Sequence, residues 1–219
     1  MDYKWDFLIV LKNIDPLISG LYGTLLLSSV SLILGLITGL ILALLRLSKF
    51  KPVNVFALYF IEIFRCTPPL VQLYWIFYAL PILINISLGP FESAIIALSL
   101  GSGAYFAEIF RGGIVSIARG QWEAGKSLGM SYFTLMLRII LPQAIKRMLP
   151  AFVNRAVELV KTTPLVAVIG YSDLLYQTVL LSQRSYRSLE YFTFAALIYF
   201  VILSIGTTLS QYFENKFNN

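Results

Sequence analysis

Ala118-Arg119-Gly120-Gln121-Trp122-Glu123-Ala124-Gly125-Lys126-Ser127-Leu128-Gly129, continuing to Arg138-Ile139-Ile140-Leu141-Pro142, is a basic, polar island with apolar stretches on both sides. Ionisable side chains this dense are too expensive to place in hydrocarbon. The island therefore marks where a membrane chain emerges into water, and the apolar stretches around it are the membrane-embedded part. It is also where such a chain is expected to meet something soluble.

Composition supports an integral membrane protein. Hydrophobic residues make up 58% of the 219 residues and charged residues 13%, about half the charged share of a soluble domain. A chain of this length has room for one helical bundle, so residues 1–219 read as a single domain. The lone Cys66 excludes an internal disulfide and a multi-Cys metal site, and the absence of His removes imidazole catalysis and His-ligated metal. A net charge of +6 could suggest nucleic acid, but the cations sit beside the apolar runs instead of forming one stripe. In that position they read as topology signals.

Five crossings follow. Residues 1–18 mix Trp5, Phe7, Leu8 and Leu11 with Asp2, Asp6, Lys12 and Asp15, and read as an amphipathic segment on the membrane surface. They lack the basic start and cleavage site of a signal peptide. Residues 21–45 carry no charge and are long enough to span the bilayer. Gly35 and Gly39 within them predict a close helix contact. A second span, 53–84, is long and interrupted by Pro68, Pro69 and Pro81. The third is 91–110. Residues 118–146 form the island loop, the fourth span is 148–170, and a polar loop, 171–188, leads to the fifth at 191–211.

Lys and Arg set the orientation. With the island in the cytoplasm, the inner side holds Arg46, Lys49, Lys51, Arg111, Arg119, Lys126, Arg138, Lys146, Arg147 and Lys216, and the outer side only Lys4, Lys12, Arg184 and Arg187. The N-terminus is then outside and the C-terminus cytoplasmic.

Gly120 to Ser127 matches the phosphate-loop pattern GxxxxGKS letter for letter. Such a loop needs a preceding buried strand and a parallel sheet, and nothing here supplies them. Gln121-Trp122-Glu123-Ala124 favours helix over a bare-backbone phosphate cradle. Nucleotide binding is not the reading.

The same letters carry a stronger one. Glu123-Ala124-Gly125, Gly129, Ile139 and Leu141-Pro142 resemble the EAA---G---------I-LP signature of bacterial ABC importer permeases, with Gly125 where the pattern has Ala. Arg65-Cys66-Thr67-Pro68-Pro69-Leu70-Val71-Gln72 is similar to the Arg-x-Thr-Pro-x-Leu-Val-Gln stretch of the polar amino-acid branch, the histidine, glutamine and arginine uptake systems. Glu108-Ile109-Phe110-Arg111-Gly112-Gly113 resembles that branch's Glu-x-x-Arg-Gly-Gly. The resemblance covers nearly the whole chain. It implies an all-α, type I ABC importer-like permease with five transmembrane helices, in a bacterial cytoplasmic (inner) membrane. It implies a cytoplasmic coupling-helix loop, with Glu123, Ala124, Gly125, Gly129, Ile139, Leu141 and Pro142 docking on a separate ATPase subunit. It further implies a second permease subunit, identical or paralogous, and an extracytoplasmic amino-acid-binding protein. The chain itself would hold no cofactor and no metal and perform no chemistry, ATP and Mg acting on the partner, and no nucleic acid is involved. ATP-driven closure of the ATPase pair would open the bundle outward for substrate delivery.

Physical reading of the island is compatible with that role. Gly125 and Gly129 lie four apart, so on one helix they would present a single small-residue face. Glu123 is expected near a helix start, where an acid is favoured, and Pro142 is expected to end or kink a helix. A solvated loop that only fixes topology is the simpler alternative. Trp122 is either a docking anchor or a side chain resting on the bilayer.

Ionisable groups inside the spans point to the substrate path. Glu62 and Arg65 are followed by Thr67 and Pro68-Pro69; Arg155, Glu158 and Lys161 share a stripe followed by Thr162, Thr163 and Pro164. Arg65-Cys66-Thr67-Pro68 parallels Lys161-Thr162-Thr163-Pro164, and paired proline-interrupted spans mark transporter sites. Arg65 or Lys161, with Thr67, Thr162 and Thr163, would take an amino acid's carboxylate. Glu158 would take its ammonium or a basic side chain. Equally, Arg155, Glu158 and Lys161 could simply neutralise one another. Cys66 reads as a small packing residue, and Tyr171, Tyr176, Tyr186 and Tyr191 as an interfacial belt. Two other classes compete: an ATP-independent secondary carrier or channel, whose uptake would survive ATP depletion, and a membrane-embedded enzyme, for which no carboxylate pair or His is present.

Overall fold

The computed structural model describes residues 3–217; Met1, Asp2, Asn218 and Asn219 lie outside the described residues, including the Asp2 counted above in the amphipathic segment 1–18. In chain order the helices are α1 (Leu8–Lys12), α2 (Ile14–Arg46), α3 (Lys51–Cys66), α4 (Pro69–Ile84), α5 (Pro90–Val115), α6 (Arg119–Ser127), α7 (Tyr132–Ile169), α8 (Leu174–Ser185) and α9 (Ser188–Phe217). Helices α2, α5 and α9 are each long and apolar enough to cross a membrane. The pairs α3–α4 and α7–α8 qualify together but bend, by 107° and 49°, so the chain makes up to five crossings.

The scaffold is α2 laid against α5. Gly39 lets the backbones approach: a Cβ there would stand 2.5 Å from Phe106 Cβ and 2.9 Å from the Gly103 carbonyl. Gly35 meets Ser102 and Phe106 in the same way, as the GxxxG pattern predicts. Ser28, Ser31, Ser99 and Ser102 are buried with these glycines. In lipid, where tails are as apolar as Leu, such small residues give helices a packing advantage.

Two of the prolines inside continuing helices follow a widened turn. Pro81 follows a π-turn at Trp75–Ala79 and Pro142 one at Met136–Ile140. Leu80 N–H reaches back five residues to Trp75, and Leu141 N–H to Met136. Widening the preceding turn moves the carbonyl that a proline ring would strike. Pro142 therefore does not end its helix, the first of the two outcomes expected of it; α7 runs through it.

The stretch expected as a polar loop, 171–188, is mostly the helix α8. Asp173 caps it by accepting the Tyr176 N–H at 2.7 Å. Leu174, Thr178, Leu181 and Ser182 form its buried stripe, a helical spacing hidden by polar neighbours. Of the expected aromatic belt, Tyr186 is exposed, whereas Tyr191 is fully buried and donates to the Ile9 carbonyl at 3.3 Å. Tyr171 stacks on Phe91 at 5.5 Å and donates to the Gly23 carbonyl at 3.0 Å, so it too is a packing residue.

The N-terminal segment is tied to the helical body. Residues 3–6 hold no regular secondary structure and are strapped to the start of α9. Glu190, fully buried, accepts from Tyr3 Oη and from the Asp6 N–H at 3.1 Å, while Arg187 donates to the Lys4 carbonyl at 2.9 Å. Val10 then buries against Leu17, Leu174, Leu181 and Tyr191.

Candidate functional site

The island folds as a helix, a tight reversal and a second helix. Helix α6 closes with Gly129 at φ +70°, its N–H bonded to Lys126 O at 2.9 Å and the Met130 N–H to Gly125 O at 3.0 Å. This pair of bonds defines a Schellman end, in which the left-handed residue is best a glycine. Ser131 caps α7 by accepting the Thr134 N–H. Gly125 and Gly129 consequently do not share a helix face. Gly125 is buried against Leu135, whose side chain fills the space of a Cβ, while Gly129 is exposed and sets the turn. Glu123 lies past the first turn of α6 and caps nothing; it is exposed, as is Ala124.

A small apolar core of Ile117, Leu135, Ile140, Ala144 and Met148 supports the island from within, with Ile139 and Trp122 packed on it. Trp122 stacks on Tyr132 with centroids 6.3 Å apart. Half-buried in this way, it serves as a strut of the island. What protrudes is Leu128, 78% exposed, and Phe133, 75% exposed. Leu141 is half-buried and Pro142 exposed.

A second site lies at the break between α3 and α4. A cavity of about 250 Å³ is lined by Arg65, Cys66, Thr67, Pro68, Pro69 and Gln72 from the broken span, by Gly101, Ser102 and Tyr105 from α5, and by Arg155 and Thr162 from α7. Gln72 secures the break: its Nε2 donates to Phe64 O at 2.8 Å, to Thr67 O at 2.9 Å and to Thr67 Oγ1 at 3.0 Å. Arg155 lays its guanidinium over the Tyr105 ring, 4.1 Å from the centroid, and donates to Ser102 Oγ at 3.2 Å. Arg65 approaches the same ring at 5.6 Å. Two i, i+3 pairs flank the breaks: Glu62 with Arg65 at 3.0 Å and Glu158 with Lys161 at 2.8 Å. Among the described residues no His/Cys/Asp/Glu group could hold a metal ion.

Residues 35–219 match the model of the binding-protein-dependent transport system inner membrane component family. The chain belongs to that family. It is 38% identical over 211 residues to the arginine transport system permease protein ArtQ of Bacillus subtilis, covering 96% of each chain. It is 39% identical to the L-cystine transport system permease protein TcyB of the same organism, over 97% of this chain and 90% of the relative. A crystal structure of an amino acid ABC transporter with histidines superposes with a TM-score of 0.92 at 37% identity, covering 98% of this chain and all of that one. The MetNI methionine ABC transporter shares the fold, with a TM-score of 0.69 at 18% identity. The protein is thus an inner-membrane permease subunit of an ABC importer, with ATP hydrolysis residing in a separate subunit and a binding protein as a further partner.

Within this permease the structure brings Arg65, Thr67 and Thr162 to one cavity, from spans far apart in sequence. Glu62, Glu158 and Lys161 stand outside its lining, their pairs partly exposed. Thr163 is fully buried and donates to Val160 O at 2.8 Å, so it serves its own helix. Arg155, Glu158 and Lys161 do not form one neutralised triad: Lys161 takes Glu158, and Arg155 turns to Tyr105. Cys66 is exposed at the cavity edge and is not a packing residue. Sequence reasoning did not assign Tyr105, Ser102 or Gln72 to a site. The first two are uncharged, so an argument from the price of burying charge passes over them. Gln72 was visible as the last letter of the Arg-x-Thr-Pro-x-Leu-Val-Gln stretch.

Proposed function

We propose that this permease, paired with a second identical or paralogous subunit, imports polar amino acids across a bacterial inner membrane by alternating access. The cavity at the first break carries the reading, since hydroxyls and guanidinium groups converge there from three helices. Similarity to permeases named for arginine and cystine transport supports an amino-acid substrate. Arg65, Thr67 and Thr162 contact the substrate in the cavity; Glu62, Glu158 and Lys161 line its path, and Thr163 steadies the second break from behind. Glu158 meets the ammonium or a basic side chain. The excess of Lys and Arg on the island side supports a cytoplasmic island and C-terminus and an external N-terminus.

The exposed island surface, with Glu123, Ala124, Leu128 and Phe133, docks in the ATPase subunit, while Gly125, Gly129, Ile139, Leu141 and Pro142 hold its shape. Apolar side chains this prominent at a reversal suit a partner cleft.

The test is uptake into proteoliposomes containing the complete transporter. Import should require ATP and the binding protein, and Glu158→Gln should depress arginine uptake more than glutamine uptake. Uptake that survives without ATP and follows an ion gradient would establish a secondary carrier instead. Equal effects of Glu158→Gln on both substrates would confine Glu158 to pairing Lys161.

A further inference from the structure

Of the cations that the two broken spans bring near the cavity, two are already answered. Arg65 is held by Glu62 and Lys161 by Glu158, each three residues earlier on the same helix. Glu108, farther along α5, is taken by Arg111 at 2.6 Å. Arg155 is different. Among the described residues no carboxylate lies within salt-bridge distance of it. Its guanidinium donates to a neutral hydroxyl, Ser102 Oγ, and its Nε–H is buried with no acceptor. A guanidinium taken from water with donors unused is a standing cost that only an anion with oxygens to spare removes well. Stacking on Tyr105 offsets part of that cost, and it also fixes the plane of the fork.

We infer that Arg155, oriented by Tyr105 and Ser102, is the anchor for the α-carboxylate of the transported amino acid. The inference rests on the amino-acid import proposed above and sharpens it: the carboxylate goes to Arg155, and not to Arg65 or Lys161, whose charges are satisfied within their own helices. The cavity suits the role. It carries guanidinium groups and hydroxyls, while no carboxylate lines it, so an incoming carboxylate meets donors and no repulsion. A planar fork can bind both carboxylate oxygens at once, which an ammonium cannot do. Every α-amino acid offers that group, so Arg155 supports binding of the whole class and leaves choice among side chains to the path around Glu158.

The experiment uses the complete permease–ATPase complex in lipid nanodiscs without the binding protein. Radiolabelled arginine is displaced by unlabelled arginine or by its decarboxylated amine, agmatine. Wild type should prefer arginine over agmatine by about tenfold or more, the worth of a charge-assisted bidentate contact. In Arg155→Gln the affinity for arginine should fall by that factor while agmatine is unaffected, so the ratio approaches one. Arg155→Lys, which keeps the charge without the fork, should give an intermediate ratio, and it replaces the Gln variant if that fails to copurify with the ATPase. A wild-type complex that does not distinguish the two ligands, or an Arg155 variant that loses both equally, would overturn the assignment alone. Failure of the full system to import any amino acid would overturn the function on which it rests.

Discussion

In α3, Glu62 holds Arg65 at 3.0 Å and Thr67-Pro68 follows; in α7, Glu158 holds Lys161 at 2.8 Å and Thr162-Thr163-Pro164 follows. From there the two spans part. Thr67 and Pro68 are both extended, with ψ of 140° and 134°, and α4 leaves α3 at 107°. Thr163 stays helical at ψ −35°, the chain passes through a 3₁₀ turn at Thr163–Ile169, and a bend of only 49° separates it from α8. At the two proline sites themselves the difference is one residue. A proline disfavours the helical region for the residue before it. Pro68-Pro69 applies that constraint to two residues in a row, whereas Pro164 applies it once, to a Thr163 whose buried hydroxyl still bonds Val160 O. The sharp break opens the cavity, and α7, unbroken past Pro164 until its bend after Ile169, brings Thr162 and Arg155 to it.

The largest effect should come from making the second break copy the first. Leu165→Pro creates a double proline after Thr163. It removes a backbone donor within the 3₁₀ turn and drives Pro164 to the extended conformation. A loss of roughly 3 kcal/mol or more is expected, read as a lowered unfolding temperature and reduced copurification with the ATPase. A variant as stable and active as wild type would show that the second proline is not what separates the two spans.

A smaller loss should follow from loosening the first break. Gln72→Ala frees the acceptors at Phe64 and Thr67 that its Nε2 now satisfies. About 1–3 kcal/mol is expected where such groups are shielded from water, near 2–4 °C per kcal/mol in thermal unfolding of a chain this long. Among the described residues the second break has no such staple. An unchanged unfolding temperature would mean that the double proline alone holds the angle.

How much of this could be read in advance depends on whether the deciding contact was local. The Gly35–Gly39 contact was legible because spacing determines it. Pro142 misled, because a π-turn upstream accommodates a ring that a regular helix rejects. The pair Gly125 and Gly129 misled because the four-residue spacing assumed a helix that in fact stops at Ser127. The stripe Leu174, Thr178, Leu181 and Ser182 was readable in retrospect, but polar neighbours masked it. Arg155 had the same three-residue spacing to Glu158 as Lys161 does; which cation Glu158 takes is decided by the α5 ring of Tyr105, and helix periodicity carries no information about that.

The second broken span also differs from the first in having an outside clasp, because the N-terminal strap grips the α8–α9 corner that follows it. Tyr3 donates its hydroxyl to Glu190, and this bond pushes the Tyr3 phenol above its usual value of 10.0, with desolvation adding to the shift and Arg187 opposing it. A pKa raised in the folded state contributes stability that is complete below the unfolded value and lost as pH climbs through the folded one. Strap release should therefore begin only above about pH 10 and be absent at neutral pH. Tyr3 is half-exposed, so this is the smallest effect of the three, and limited proteolysis or hydrogen exchange at residues 3–12 is a better monitor than global unfolding. Tyr3→Phe, which keeps the ring near Arg187 but cannot donate, should loosen the strap at every pH and abolish the alkaline step. An alkaline step that persists in Tyr3→Phe would assign it to another group and leave the clasp without its proposed hinge at Glu190.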